Sequence, residues 1–366
     1  MMKISPEITS LQPYVPGKPI AETKREYGLK HVIKLASNES PYPISDYMKI
    51  AIIEALDEVH RYPDATCYEL KKAAAKYYEV KEDRLAFGNG SDELIDLLLK
   101  IYCLPGDEIL TYERAFAAYK LSAQGYRVKT VESPLRKDFS PDMAAMVKAL
   151  ETNPKIRLVF IPNPNNPTGA YSNKTDMEML VKAVQKRGDV LLILDEAYTE
   201  FVRATDYIDG QDLQKNAPEV VVLRTMSKAF GLAGLRVGTL IATPEIAELV
   251  NRVRDPFNVN SLAQAAAIAV IQDKVFVSKV QKTTWEGLDY FTEEIKKMGL
   301  AFVPSQANFI FFDSGRDSGG VYEQMLKRGI IIRPLKNYGF QSQFRMSVGM
   351  PEENRAAIRA LKEVLR

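Results

Sequence analysis

Apolar residues recur along the chain in two different patterns. In the segments 46–59 and 68–78 they lie three and four positions apart, which predicts amphipathic helices. Further along, short continuous apolar runs alternate with helical stretches and occupy residues 157–161, 190–194, 220–223 and 237–241. Such runs are typical of strands that are buried on both faces of a sheet. The pattern therefore predicts an α/β protein with a large, mostly parallel sheet.

The two ends of the chain follow other patterns. Residues 1–40 are rich in proline and polar residues, which predicts an arm without long regular elements. Towards the other end, an alanine-rich helix at 262–271 and a long helix around 285–298 precede two strands that flank a helix near 321–328. This order has α+β character. We therefore expect three parts: an arm over 1–40 that packs with the small domain, a large domain over 41–256 and a small domain over 257–366.

Composition narrows the possible partners and compartments. Among 366 residues, 49 Lys and Arg balance 47 Asp and Glu, so the net charge of +2 gives no reason to expect nucleic acid or a membrane as partner. No run approaches the roughly 20 apolar residues of a membrane span, and no apolar leader is visible. Cys67 and Cys103 form no CxxC pair, so we expect a soluble cytoplasmic protein. Since His31 and His60 are the only histidines, no metal site is expected.

Four polar segments stand where predicted strands end. In α/β proteins the carboxyl ends of parallel strands meet at one edge of the sheet, and ligands bind there. We therefore expect the four segments to supply parts of one site. They are, in chain order, Gly88-Asn89-Gly90-Ser91-Asp92-Glu93, Asn163-Pro164-Asn165-Asn166-Pro167-Thr168-Gly169, Asp195-Glu196-Ala197-Tyr198 and Thr225-Met226-Ser227-Lys228.

The first segment has the features of an anion site. Gly90, Ser91 and Asp92 open a helix that is predicted over 92–100. Free backbone N–H groups at a helix N-terminus bind anions, and the helix dipole assists them. The same residue types also form ordinary turns and caps. This segment therefore indicates an anion site only in combination with the other three segments.

The last segment places an amine beside hydroxyl groups. Lys228 follows Thr225 and Ser227, and a glycine-containing loop leads from it to Arg236. A single lysine is usually a solvated surface residue. A lysine that is held in place and partly desolvated forms Schiff bases, and the neighbouring hydroxyls and guanidinium can bind a phosphate.

Asp195 closes the apolar run 190–194, so its carboxylate is expected at the ligand-binding edge of the sheet. An acid opposite a pyridine nitrogen keeps that nitrogen protonated, although an isolated aspartate here would also suit a helix N-cap. Tyr198 and the amide of Asn166 can reach a ring oxygen. Together with the amine and the anion site, these groups are what pyridoxal 5'-phosphate requires.

These segments, in this order and spacing, resemble the fold type I aminotransferases over nearly the whole chain. Within that superfamily, the segments 12–17, 61–64, 329–334 and 344–349 resemble the histidinol-phosphate aminotransferase family. The resemblance implies a mostly parallel, seven-stranded type of sheet in a large domain that binds pyridoxal 5'-phosphate, and a smaller α+β domain.

The resemblance also implies a role for individual residues. The catalytic residues would be Lys228, which forms the Schiff base, Asp195 at the pyridine nitrogen and Tyr198 at the ring oxygen. Other cofactor-binding residues would be Gly90, Ser91, Asp92, Thr225, Ser227 and Arg236 at the phosphate, Asn166 at the ring oxygen, Phe116 against the ring, and Tyr62, which would reach the cofactor of a second subunit in a homodimer. The substrate would be bound by Tyr14, Asn166, Arg333 and Arg345.

Two features bear on the substrate. Arg345 alternates with apolar residues in a predicted strand, and its guanidinium suits a carboxylate or a phosphate, as does that of Arg333. Either arginine could instead form a structural ion pair. Arg114 and Ala115 depart from the Pro-Thr-aromatic segment common in the family, which leaves the surroundings of the cofactor and substrate open.

We therefore predict transamination between histidinol phosphate and 2-oxoglutarate, or between imidazole acetol phosphate and glutamate in the biosynthetic direction of histidine biosynthesis. An aromatic amino-acid aminotransferase is an alternative, because an arginine can bind a carboxylate in place of a phosphate. A threonine-phosphate decarboxylase is a second alternative. A regulator that binds pyridoxal 5'-phosphate would be expected to carry a DNA-binding module, and no basic helix-turn-helix segment precedes residue 40.

Overall fold

The computed structural model describes residues 4–13 and 16–366, and the fold is given for those residues. Its helices are α1 (Pro6–Thr9), α2 (Ile20–Tyr27), α3 (Asp46–Leu56), α4 (Tyr68–Tyr78), α5 (Ser91–Tyr102), α6 (Ala117–Gly125), α7 (Met143–Thr152), α8 (Lys174–Arg187), α9 (Gly210–Gln214), α10 (Pro244–Val253), α11 (Ser261–Gln272), α12 (Lys274–Lys297), α13 (Ser318–Lys327) and α14 (Pro351–Leu365). Its strands are β1 (Ile33–Lys34), β2 (Leu85–Asn89), β3 (Glu108–Tyr112), β4 (Lys129–Ser133), β5 (Ile156–Pro162), β6 (Leu191–Asp195), β7 (Val220–Thr225), β8 (Val237–Ile241), β9 (Phe302–Val303), β10 (Phe309–Asp313), β11 (Ile330–Ile331), β12 (Arg333–Pro334) and β13 (Gln343–Ser347).

A seven-stranded sheet has the strand order β2-β8-β7-β6-β5-β3-β4. Only β8 runs against its neighbours, so the sheet is mostly parallel. The continuous apolar runs become β5 to β8, and every residue of β7 and β8 is buried. Helices cover both faces, which explains why these strands show no polar alternation. The predicted α/β class is confirmed.

The carboxyl ends of β5, β6 and β7 lie side by side at one edge of this sheet. Pro162 of β5 is in register with Asp195 of β6, and Asp195 is in register with Leu223 of β7. The helix α5 begins immediately after β2, whose pairing with β8 brings Asn89 opposite Val237. The four polar segments are therefore brought towards one edge, as the sequence predicts.

A second sheet has strand order β12-β13-β10-β9 and is antiparallel. It packs with α12, α13 and α14 around a separate apolar core whose members include Phe291, Phe312, Phe344 and Leu361. The alanine-rich α11 packs instead on α3 and α4, and its buried side chains join the core of the seven-stranded sheet. This packing differs from a small domain that starts at residue 257, because α11 buries its apolar side chains in the first core. The division into three parts stays a prediction.

The N-terminal segment contacts both cores. The helix α1 lies against α6, where the side-chain amide of Gln124 donates to the carbonyl of Glu7 over 2.8 Å. The helix α2 packs on α13, and β1 pairs in parallel with β11. After β1 the chain runs between the two sheets, so residues 35–40 are in position to contribute to a site there.

The described part of the chain has neither a membrane-spanning helix nor a metal-binding cluster. None of its helices is long and apolar enough to cross a membrane. Within residues 4–13 and 16–366, no cluster of three or more His, Cys, Asp or Glu residues has the arrangement of a metal site.

Candidate active site

A cavity lies at the carboxyl edge of the seven-stranded sheet and is closed on its other side by β12, β13 and the segment after β1. It brings together twelve of the residues that the sequence predicts for the site. They are Ser91, Asp92, Phe116, Asn166, Asp195, Tyr198, Thr225, Ser227, Lys228, Arg236, Arg333 and Arg345.

Two further predicted residues, Gly90 and Tyr62, do not line this cavity. Gly90 stands just behind its wall, beside Arg236. Tyr62 is 81% exposed and stacks on the ring of Phe257, with ring centroids 4.6 Å apart. Tyr14 lies outside the described residues.

Lys228 follows β7 and extends its amine into the cavity, 5.9 Å from the centroid of the Tyr198 ring. Burial, assisted by the positive charge of Arg345, lowers the pKa of this amine from its usual value to about 8. About one tenth of the amine is therefore neutral at pH 7, compared with less than about one in a thousand for an ordinary lysine. A neutral amine can act as a nucleophile or accept a proton.

Asp195 is the last residue of β6 and is almost fully buried. The hydroxyl of Tyr119 donates to its Oδ2 over 2.6 Å, and the N–H of Ala197 donates to its Oδ1 over 3.3 Å. Burial raises the pKa of Asp195 to about 6, while these two hydrogen bonds act in the opposite direction. The carboxylate is thus mostly ionised at neutral pH, in a place where it can face a protonated ring nitrogen.

An anion site forms where α5 begins. The guanidinium of Arg236 contacts Oδ2 of Asp92 at 3.0 Å and Oγ of Ser227 at 3.4 Å. The N–H of Ser227 donates to the hydroxyl of Thr225 over 3.2 Å. With the free N–H groups of the first turn of α5, these groups surround a space that suits a phosphate.

Two glycines make this arrangement possible. Gly90 has φ +82°, and an added Cβ would lie 2.9 Å from Cζ of Arg236. At Gly238, a Cβ would lie 2.5 Å from the backbone nitrogen of Ser91. The backbone and Arg236 therefore approach each other more closely than side chains at these positions would allow. A close-packed backbone at a helix N-terminus fits the phosphate of the cofactor.

The wall opposite the sheet carries two arginines. Arg333 of β12 and Arg345 of β13 are Cα partners across an antiparallel pair, and both are nearly buried. Arg345 donates through Nη1 to Oδ1 of Asn166 and through Nη2 to the carbonyl of Ala36 over 2.6 Å. A pair of guanidinium groups at one end of the cavity suits an anionic group of a substrate.

At Arg114 and Ala115 the sequence differs from the Pro-Thr-aromatic segment common in the family, and the structure shows what Arg114 contacts instead. Arg114 has φ +59°, and its guanidinium lies 4.2 Å from the centroid of the Phe340 ring in the small domain. Its carbonyl accepts a hydrogen bond from the side-chain amide of Asn165. Arg114 therefore links the loop before α6 to the segment between β12 and β13, while Phe116 lines the cavity.

Sequence reasoning missed two residues that contact the site. Tyr119 lies in the first turn of α6, but no local pattern connects its hydroxyl to Asp195. Asn38 lies in the N-terminal segment and donates a 2.9 Å hydrogen bond to the hydroxyl of Tyr198. The polar run 37–40, which follows β1 after two apolar residues, is the signal that the sequence offers for its position.

Comparison with known proteins agrees with this geometry. Residues 30–361 match the family model described as aminotransferase class I and II. The chain is 50% identical to a histidinol-phosphate aminotransferase of Bdellovibrio bacteriovorus, over 100% of this chain and 99% of the relative. It is 44% identical to a histidinol-phosphate aminotransferase of Moorella thermoacetica, over 98% of this chain and 92% of the relative.

The fold of this chain is also similar to that of a solved structure from the same family. The crystal structure of histidinol-phosphate aminotransferase from Sinorhizobium meliloti in complex with pyridoxal-5'-phosphate is 27% identical and superposes with a TM-score of 0.89, covering 100% of this chain and 98% of that one. The chain therefore belongs to the class I and II aminotransferases and, within them, to the histidinol-phosphate aminotransferase family.

Proposed function

We propose that this chain is a pyridoxal 5'-phosphate enzyme that catalyses transamination between histidinol phosphate and 2-oxoglutarate. In histidine biosynthesis the reaction proceeds in the opposite direction, from imidazole acetol phosphate and glutamate. The observation that carries the proposal is one cavity that holds an amine of lowered pKa on Lys228, a buried acid on Asp195 and an anion site at α5. Relatives of that name align with the whole chain.

The cofactor, when bound, supplies an electron-withdrawing pyridine ring and a reactive aldehyde. Ser91, Asp92, Thr225, Ser227 and Arg236 would hold its phosphate, with Gly90 giving the space. The anion site contains a full guanidinium charge and a helix N-terminus, both of which favour a phosphate.

Asp195 would keep a proton on the ring nitrogen that faces it. Its ionised form is needed for that role, and its pKa of about 6 leaves it mostly ionised at pH 7. Tyr198 and Asn166 would bind the ring oxygen, and Phe116 would lie against the ring. These contacts would fix the position of the ring in the cavity that Lys228 also lines.

Lys228 would carry the proton that is moved in the reaction. With a pKa of about 8, its amine can accept a proton from the α-carbon of the donor and release it again at neutral pH. The same residue thus serves as nucleophile and as base.

Arg333 and Arg345 would bind the anionic end of the substrate, with Asn166 beside them and Tyr14 as a further proposed contact from the N-terminal arm. A phosphate or a carboxylate could satisfy a guanidinium. The test therefore includes substrates of the two alternatives, an aromatic amino-acid aminotransferase and a threonine-phosphate decarboxylase.

The test is a single-turnover absorbance assay on the purified chain loaded with pyridoxal 5'-phosphate. Histidinol phosphate, tyrosine, phenylalanine and threonine phosphate are added separately. We expect fast loss of the visible band with histidinol phosphate and its return with 2-oxoglutarate. A response to the aromatic amino acids only, or release of carbon dioxide from threonine phosphate, would contradict the proposed substrate. K228A serves as the control, since it retains the anion site but lacks the amine.

We propose that the active unit is a homodimer in which Tyr62 completes the anion site of the second subunit. Tyr62 and Phe257 form a stacked aromatic pair at the surface, away from the cavity of their own chain. On α3, the exposed residues Tyr47, Ile50 and Ile53 add an apolar stripe. Exposed aromatic and aliphatic surface of this kind favours a protein partner.

Hybrid dimers test this arrangement. One variant carries Y62A and the other carries K228A, and each alone should have little or no aminotransferase activity. The two variants are mixed under conditions that allow subunits to exchange. If Tyr62 acts across the interface, one site of the hybrid has both intact residues and activity returns. If Tyr62 acts within its own chain, no hybrid site is intact and activity stays low. The same two chains, kept unmixed, are the control.

We also propose a cytoplasmic location, supported by the two unpaired cysteines. Burial raises the pKa of the Cys67 thiol to about 11 and that of Cys103 to about 12. Thiols of this kind are poor nucleophiles. Fractionation of the native cells, with activity and antibody detection, tests the location.

A further inference from the structure

Asn38 connects the N-terminal segment to the cavity through its backbone and its side chain. It is 1% exposed and has φ +53°. Its N–H donates to Oγ of Ser347 over 2.9 Å, its carbonyl accepts from the side chain of Asn308 over 3.0 Å, and its side chain lies between Ser347 and Tyr198. Every polar group of this residue thus has a defined neighbour.

The hydrogen bonds fix the orientation of the Asn38 amide. Oγ of Ser347 accepts from the Asn38 N–H, and its own proton is then free to be donated to Oδ1 of Asn38, 2.9 Å away. This leaves Nδ2 facing the hydroxyl of Tyr198 at 2.9 Å. An amide nitrogen donates and cannot accept. The oxygen of Tyr198 therefore accepts from Asn38.

The reverse orientation of the amide is less favourable. It would place Nδ2 against Ser347, whose oxygen would then accept two hydrogen bonds. The Ser347 proton would have no other acceptor among the side-chain hydrogen bonds described for residues 4–13 and 16–366. A buried hydroxyl without an acceptor is costly.

The direction of the hydrogen bonds from Ser347 to Asn38 and from Asn38 to Tyr198 determines where the hydroxyl proton of Tyr198 lies. A phenol has one proton, and the proton of Tyr198 cannot be given to an amide nitrogen. Tyr198 lines the cavity, so its proton is available on the cavity side. A preorganised donor there costs no reorientation when an acceptor binds.

We propose that Asn38 is a positioning residue that, oriented by Ser347, directs the hydroxyl proton of Tyr198 into the cavity and towards the ring oxygen of the cofactor. This inference rests on the proposed function, in which Tyr198 binds that oxygen. Asn38 itself acts through Tyr198.

The neighbouring contacts hold the segment in this position. Two residues before Asn38, the carbonyl of Ala36 accepts from Arg345, which lies two residues before Ser347 on the same strand. The segment after β1 is thus joined to β13 at two places. The position of the Asn38 amide is therefore set by packing between distant parts of the chain.

The test uses N38D, which preserves the shape of the side chain and suits a positive φ. The carboxylate accepts where the amide donates, so the Tyr198 proton would turn towards residue 38. We expect a fall in kcat of about tenfold, the worth of one hydrogen bond of ordinary strength. The pH midpoint of the visible absorbance change of the loaded enzyme should move upward by about one unit, since the ring oxygen loses a donor that stabilises its charged form.

Y198F and the double variant separate positioning from a general structural effect. If Asn38 acts through Tyr198, adding N38D to Y198F should have little effect, because the hydroxyl is already gone. Both kcat and the acid constant that sets the pH midpoint should then change by less than about twofold. Equal effects of N38D in the two backgrounds would overturn the inference. An unshifted midpoint in N38D with a normal band would overturn it as well.

Ser347 gives a second approach if N38D folds poorly. S347A removes the group that orients the amide, and it should shift the midpoint in the same direction as N38D. S347T keeps the hydroxyl and should restore the midpoint. If S347A leaves the midpoint unchanged, the inference fails. If the wild-type chain binds pyridoxal 5'-phosphate without any visible band, the proposed function itself fails, and this outcome is distinct from the others.

Discussion

The hydroxyl of Tyr119 donates a 2.6 Å hydrogen bond to Oδ2 of Asp195, and both residues are buried beneath the cavity. Burial alone favours the protonated form of Asp195, whereas a hydrogen bond to the carboxylate favours the ionised form. The balance leaves the pKa at about 6. Tyr119 therefore helps to keep a negative charge where a ring nitrogen would carry a positive one.

We predict that Y119F weakens cofactor binding more at pH 6.5 than at pH 8.5. Loss of the hydrogen bond raises the pKa of Asp195 above about 6, so the ionised fraction falls first at the lower pH. An affinity loss of about tenfold is expected at pH 6.5. It is measured by titrating cofactor-free chain with pyridoxal 5'-phosphate.

Y112F is the matched control for Y119F. Its hydroxyl is equally buried but donates to the carbonyl of Pro162 over 2.7 Å. This variant should show little dependence of the affinity loss on pH. The same dependence in both variants would argue against a specific effect of Tyr119 on Asp195.

K228M should stabilise the cofactor-free chain near neutral pH. The pKa of Lys228 is about 8 when folded and near its usual 10.5 when unfolded, so the unfolded chain binds more protons between these values. Stability from this residue therefore falls as pH drops from 10.5 to 8 and stays low below that. Methionine removes this cost, and the melting temperature at pH 7 should rise by roughly 2 °C or more.

The pH dependence checks the cause of that stabilisation. Melting curves of cofactor-free wild type and K228M should converge as the pH approaches 10.5, where the folded lysine is already neutral and the unfolded one is losing its charge. K174M, which removes a lysine whose side chain is 60% exposed, is the control and should change little. A K228M variant that is less stable at pH 7 would contradict this account.

G90A should weaken binding of the cofactor through its phosphate. The added Cβ would displace the guanidinium of Arg236 from the anion site. Loss of a charged hydrogen bond reduces affinity by at least about tenfold. Affinity for pyridoxal, which lacks the phosphate, should change much less than affinity for pyridoxal 5'-phosphate.

G106A controls for backbone strain in that experiment. Gly106 also has positive φ, at +99°, but a Cβ there would meet nothing within 4 Å. Both variants carry the strain of a left-handed residue. Equal loss of cofactor affinity in the two would show that strain, and not displacement of Arg236, is responsible.

R224M should destabilise the large domain. Arg224 of β7 is buried and forms ion pairs with Glu196 at 2.8 Å and Asp209 at 2.7 Å. Removing Arg224 leaves the buried carboxylate of Glu196 without its charge partner, which costs about 3 kcal/mol. Burial raises the pKa of Glu196 to about 7, so protonation relieves the cost at pH 6 and the loss should grow towards pH 8.

Urea unfolding of the cofactor-free chain at pH 6 and pH 8 measures this effect. R157M is the control, because Arg157 also pairs with two aspartates but is about one third exposed. Its loss should cost no more than about 1 kcal/mol. If R224M costs no more than R157M, the buried cluster does not stabilise the domain.

The sequence by itself determined the elements and the local chemistry of the site. Burial on both faces produces continuous apolar runs, and the position of Asp195 at the end of one run placed its carboxylate at the sheet edge. Likewise, the start of α5 at Ser91 followed from turn and cap residues. These features depend on neighbours within a few positions, so they can be recognised in the chain itself.

The tertiary structure alone decided which polar groups meet. Tyr119 and Asp195 are 76 positions apart, Asn38 and Tyr198 are 160 apart, and Arg345 and Asn166 are 179 apart. The same holds for α11, whose apolar composition suits either core and whose packing places it on α3. No periodicity links residues at such separations. Their contacts follow from how sheets and helices pack, because burial removes water and leaves each polar group only the partners that the fold brings near.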